Sequence, residues 1–229
     1  MAKAIQRQSP LAYGAKLFIL LARPLSSKVV CPTHEFINEA ALELLQKAGF
    51  ESESRFLLTY LSALQEGVTW ADSGYRNINH FFHPQTKQGL FGFANAAYDF
   101  ALYLNKSRLY SKQKKWSKSC FYLGAAAHLL QDVCVPHHTS CLLFDGHKEY
   151  EAWAEQNYRD YFAPPAPLTP YFRRPFSLFF TNASASFAAF DLMKEGSTPI
   201  YQQVTKMLLP QAQYSTAGLF NWFYHLDAR

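Results

Sequence analysis

The sequence reads as an all-α protein, a single-domain helical bundle. Apolar residues recur at three- to four-residue spacing along most of the chain, no stretch alternates in the strand period between hairpin turns, and no internal repeat is present. A length of 229 residues suits one domain with a large core, and 49% hydrophobic against 17% charged residues excludes a disordered chain.

The elements follow in order. Residues 1–33 carry Lys3, Arg7, Lys16, Arg23 and Lys28, no acid, and a short apolar run from Leu17 to Ala22. They read as a basic segment, a targeting sequence or an arm, with the domain proper over 34–229. The net charge of +5 resides in that segment, because residues 34–229 are balanced; no stable nucleic-acid partner is expected from charge. Thr33 is placed to cap a helix over 36–49 that closes at Gly49. A second helix over 55–67 ends at Gly67. The polar stretch 69–89 reads as a long irregular loop, of the kind that usually serves a function. Helices are expected over 90–106, over 117–132 with Pro136 stopping it, and over 147–162. The Pro-rich stretch 163–175 is a connector. Helices over 177–196 and 199–226 finish the chain, the last one broken at Pro210. No apolar run reaches the roughly 18 residues a membrane span needs. The four cysteines (Cys31, Cys120, Cys134 and Cys141) contain no CxxC pair, so neither a disulfide framework nor a zinc ribbon is expected.

The chemistry lies in polar residues set among apolar ones. His128 and Asp132 are four apart in FYLGAAAHLLQDVCVPHH, so a helix puts both on one face. His138 follows Pro136, and His147 and Glu151 are again four apart in HKEYEAW. His34 opens the first helix of the domain, while Asp72 and His80 lie in the polar stretch. Imidazole nitrogens and carboxylate oxygens are the donors of catalytic zinc sites, and carboxylates can bridge two cations. Each residue alone has a plainer role as a surface pair, a turn acid or a helix-start residue. Their joint order and spacing favour a metal site, as does the cost of leaving Asp132 unpaired in an Ala/Leu helix.

Taken together, these stretches resemble the bacterial zinc-dependent phospholipase C family. THEFINEAALELL, GVTWADSGYRNINHFFHP, FYLGAAAHLLQDVCVPHH and HKEYEAW carry the likeness in the family's order, and TAGLFNWF is similar to its last helix. The resemblance implies a bundle with two or three zinc ions in a cleft. Asp72, His80, His128 and Asp132 match the ligands of one zinc, Asp132 and His34 those of a bridged second, and His138, His147 and Glu151 those of another. Asp72 also matches the residue proposed as the family's base. The implied reaction is hydrolysis of a phospholipid to diacylglycerol and a phosphorylated head group.

The departures are informative. The family holds its bridged zinc partly through the amine of an N-terminal Trp, whereas the first Trp here is Trp70, well after His34; Cys31 is a candidate substitute donor. No acid precedes Glu35, so choline specificity does not carry over. His83 stands where the family usually has Asp, and His137 is an additional imidazole. With the chain ending at Arg229, no membrane-targeting β-sandwich and no toxin-like lysis are expected. The expected protein is a monomeric zinc phosphodiesterase with a phospholipid or other phosphodiester substrate and peripheral membrane contact, exported rather than cytoplasmic. The alternatives are a zinc single-strand nuclease or 3′-nucleotidase, whose trinuclear bundle is related, and a non-catalytic zinc-binding helical protein.

Overall fold

The computed structural model describes residues 31–92 and 94–228, in which helices, short 3-10 turns and loops occur without a strand. Residues 1–30 of the basic segment, with its apolar run, lie outside the described residues. The helices are α1 (Pro32–Lys47), α2 (Glu51–Thr59), α3 (Leu61–Asp72), α4 (Ala96–Lys112), α5 (Trp116–Asp132), the single turn α6 (Pro136–Thr139), α7 (His147–Asn157), α8 (Pro175–Met193) and α9 (Thr198–Phe223).

Helix α5 is the axis of the bundle. Every residue from Leu123 to Asp132 is buried, as expected of a helix apolar nearly all round. It packs against α3 and α4, and α9 packs against α1, α8 and α5. Phe100, Phe179, Phe220 and Phe223 fill the larger core, and Ile37, Tyr150, Val204 and Leu208 form a smaller one where α1, α7 and α9 meet.

Several boundaries differ from the sequence reading, each for a local reason. Thr33 is not the cap of α1: Cys31 holds that position, and Pro32 starts the helix where its missing N–H costs nothing. The end of α1 is as expected. Gly49 takes φ +87°, and the N–H groups of Gly49 and Phe50 donate to the carbonyls of Gln46 and Leu45, the six-to-one closure that favours glycine. The expected 55–67 helix is instead two helices broken at Tyr60, and α3 runs straight through Gly67 to Asp72.

Gly67 is a packing residue. A Cβ built there would lie 1.9 Å from the Phe121 carbonyl oxygen, and one on Gly124 would lie 2.0 Å from that of Leu64. The two glycines let α3 and α5 touch backbone to backbone.

The irregular stretch therefore covers 73–95, with 3-10 turns at Arg76–Asn79 and Leu90–Gly92. Helix α4 starts at Ala96, later than expected, because the Asn95 side chain accepts from the Tyr98 N–H at 3.1 Å and caps it. Pro136 opens α6 besides following α5. The expected 147–162 helix is helical to Asn157 and then tightens into a 3-10 turn, and the connector holds another turn at Thr169–Tyr171. The last helix is not broken at Pro210. The lost hydrogen bond is tolerated because Leu208, Leu209, Ala212 and Gln213 are buried on either side, so packing overrides propensity.

Candidate metal centre

The C-terminal turn of α5 brings Asp132 to the floor of a cleft of about 480 Å³, with His128 buried behind it one turn back. Helix α1 supplies His34 from its first turn, α3 supplies Asp72 as its last residue, and the turn after it supplies His80. The single-turn α6 supplies His138, and α7 supplies His147 and Glu151 one turn apart. All eight sequence-predicted donors thus come together at one cleft. They form three groups whose donor atoms lie within 4.8 Å of one another: His34–His128–Asp132, Asp72–His80–His128 and His138–His147–Glu151.

Asp132 is the hub. Its Oδ2 lies 2.7 Å from His80 Nδ1 and 3.1 Å from His128 Nε2, and its Oδ1 lies 3.4 Å from His34 Nε2 and 3.7 Å from His138 Nδ1. At the other end of the group, Glu151 Oε1 lies 2.8 Å from His147 Nε2 and 3.3 Å from His138 Nε2.

Outer hydrogen bonds fix which ring nitrogens face inward. His80 Nε2 donates to the Ala71 carbonyl at 3.1 Å, so the neutral ring presents the Nδ1 lone pair to Asp132 and to His128 Nε2, 3.3 Å away. Gln131 donates through Nε2 to Asn38 Oδ1 at 2.9 Å and to Thr216 Oγ1 at 3.2 Å. Its Oε1 therefore accepts from His34 Nδ1 at 2.9 Å, which turns the His34 Nε2 lone pair toward Asp132. Asn38 is held in turn by donating to Gln65, 3.0 Å away. Lone pairs thus converge on one carboxylate, and Asp132 Oδ2 is buried with no hydrogen-bond partner. Acceptors facing acceptors at these distances fit a cation between them, and the donor chemistry fits zinc.

The electrostatics agree. Burial opposes ionisation of Asp132, but His128, His138 and His80 outweigh it and hold the carboxyl well below the usual range. At Glu151 burial is likewise outweighed by His138 and His147, and its carboxyl is also held down. Burial lowers His34 to about 4, with His128 adding to it. For His128 and His138 burial works against the charged form, yet Asp132 prevails and both are raised.

The remaining sequence candidates take other places. Cys31 lines the cleft and lies 3.7 Å from Asp72 Oδ2, but it joins none of the three donor groups. His83 accepts from the Gln85 and Thr86 N–H groups and caps a turn, outside the cleft lining. His137 stacks on His147 at 5.0 Å and 8°, and donates from Nε2 to the Asp145 carbonyl at 3.1 Å. The sequence reading missed the Gln131–Asn38–Gln65 chain. Its signal was present: Gln131 sits between Leu130 and Asp132 in the most apolar helix turn, where an amide needs partners.

A helical bundle with imidazole and carboxylate groups gathered around one cleft has the architecture of a metal-binding α-helical protein. The profile of the family described as zinc dependent phospholipase C matches residues 33–189, and the chain belongs to that family. Two solved structures share the fold. The alpha-toxin of Clostridium perfringens from avian strain SWCP is similar at TM-score 0.75 and 17% identity, over 89% of this chain and 66% of that one. The alpha toxin from Clostridium absonum is similar at TM-score 0.77 and 17% identity, over 89% and 67%. The chain thus spans about two thirds of the length of these toxins. Among curated proteins no significant match was found.

Proposed function

We propose that His34, Asp72, His80, His128, Asp132, His138, His147 and Glu151 hold two or three zinc ions within a body spanning 34–229. The cleft so formed cleaves the glycerol–phosphate ester of a phospholipid, releasing diacylglycerol and a phosphorylated head group. The supporting observation is the Asp132 carboxylate, buried among four imidazoles without a hydrogen-bond partner for Oδ2. When bound, zinc supplies Lewis-acid charge to the phosphate and makes water nucleophilic near neutral pH.

The chain's own groups set the geometry. Ala71 O and Gln131 Oε1 lock the His80 and His34 rings, so no reorganisation is needed during reaction. Asp72 lines the cleft half-buried, and its carboxylate orients the attacking water and takes up its proton. The apolar surround, with Ile78, Phe81, Leu90 and Leu143, limits competing water around the phosphate.

Phe144 is 70% exposed at the cleft and gives a monomer a foothold on a lipid surface. No helix among the described residues is long and apolar enough to cross a membrane. The basic, acid-poor segment before the domain favours export. The test is a zinc-replete sample assayed in parallel on short-chain phospholipids with choline, ethanolamine and glycerol head groups and on single-stranded DNA. Diacylglycerol release is expected; cleavage of DNA alone, or of neither, contradicts the reading.

A further inference from the structure

One side of the cleft is built for something other than metal or phosphate. Where α1, α7 and α9 meet, it is lined by Ile37, Tyr150, Ala154, Leu208, Leu209 and Ala212. The polar groups at its end are already spoken for: Tyr150 OH and Thr205 Oγ1 hydrogen-bond each other at 3.0 Å. Below its rim this wall carries no charged side chain, and its two polar groups, Tyr150 and Thr205, are paired with each other. Its one aromatic residue, Tyr150, is buried and packs at ring tilts of 59° and 35° against Tyr201 and His137, which disfavours stacking of a base on it. Lys148 and Glu155 stand on the rim, both exposed.

The arm is continuous with the donor groups. Ile37 lies one turn from His34 on α1, and Ala154 lies three residues from Glu151 on α7. A molecule whose phosphate meets His34, Asp132 and Glu151 therefore extends its next atoms along this wall. We infer that the α1–α7–α9 arm is an acyl subsite, taking the first part of a fatty acyl chain of the phospholipid substrate while the phosphate lies at the donor groups. This rests on the phospholipase reading above and deepens it: hydrocarbon length becomes a determinant of kcat/KM.

The experiment uses the zinc-loaded full chain and two substrate types. One is a series of monomeric short-chain diacylphosphatidylcholines differing by single methylenes. The other is a water-soluble nitrophenyl phosphodiester without acyl chains. In the wild type kcat/KM rises with each methylene, by up to about fourfold, until the arm is full. Ala154→Trp narrows the arm from a half-exposed helix position, and Leu209→Ala widens it. With Ala154→Trp the ratio of kcat/KM for the lipid over the nitrophenyl ester falls at least about tenfold and the chain-length slope flattens. With Leu209→Ala the preferred chain lengthens. If the ratio and slope match the wild type in both variants, or the wild type shows no slope, the acyl subsite is wrong while the hydrolase reading stands. A wild type inert toward both substrate types overturns the hydrolase reading and the acyl subsite together.

Discussion

Gly124→Ala is a single methyl group with consequences for both fold and metal. The new Cβ would lie 2.0 Å from the Leu64 carbonyl oxygen and 2.8 Å from its carbon, whereas ordinary contact begins at 3.4 Å. The obstacle is backbone, so no side chain can swing aside, and α3 must retreat from α5 by more than 1 Å. Overpacking of this kind costs about 1–3 kcal/mol or somewhat more. In a domain of this size that lowers Tm by about 2–12 °C. The retreat also carries Asp72, the last residue of α3, away from His80 and His128, with which it forms a donor group. Calorimetry and zinc analysis on the same sample read both effects: a lower Tm, and weaker zinc retention during dialysis. Gly67→Ala, pressed 1.9 Å from the Phe121 carbonyl oxygen, should behave alike. Unchanged Tm together with full zinc retention in both variants would refute the backbone contact and the placement of Asp72 that depends on it.

Other outcomes follow from the same geometry. Asp132→Asn keeps the shape and removes the carboxylate that four imidazoles face, so zinc and hydrolysis should be lost together; metal analysis beside a phosphatidylcholine assay checks it, and wild-type zinc content would contradict it. Gln131→Leu frees the His34 ring and strips partners from Asn38 and Thr216; zinc affinity should weaken about 10- to 100-fold and stability fall about 1–3 kcal/mol, read by a competing chelator and by urea unfolding. Zinc-free protein should lose stability as pH rises above about 7, toward the raised folded-state values of His128 and His138. Those two imidazoles bind protons when folded that the unfolded chain has already released, so their contribution is full below the unfolded value and fades above it. His34 and His137, both lowered to about 4, are neutral in either state there and do not oppose the trend. Urea midpoints across that range should fall in the zinc-free protein and stay level once zinc has deprotonated the rings.

What could be read without coordinates was whatever helix periodicity alone controls. His128 with Asp132, and His147 with Glu151, are one turn apart in any α-helix, so their pairing was legible from spacing. The convergence of those pairs with His34, Asp72 and His80 was legible only through resemblance, because no local rule relates residues 34 and 128. Gly67 shows the opposite case. A glycine after an apolar run reads as a stop, yet here it serves a contact with α5, which is why Asp72 sits on a helix and not in a loop. Pro210 failed for a similar reason, since buried neighbours outweigh one missing hydrogen bond. His137 read only as an additional imidazole; its ring lies parallel to His147 and its Nε2 holds the Asp145 carbonyl, roles that need three dimensions to see.

The metal centre is tested most directly by diffraction from zinc-replete crystals, with anomalous data collected on either side of the zinc absorption edge. Peaks are expected among the Asp72, His80, His128 and Asp132 donor atoms and among those of His138, His147 and Glu151. Zinc-replete crystals with no peak at either cluster, or with zinc held only by other residues, would contradict it.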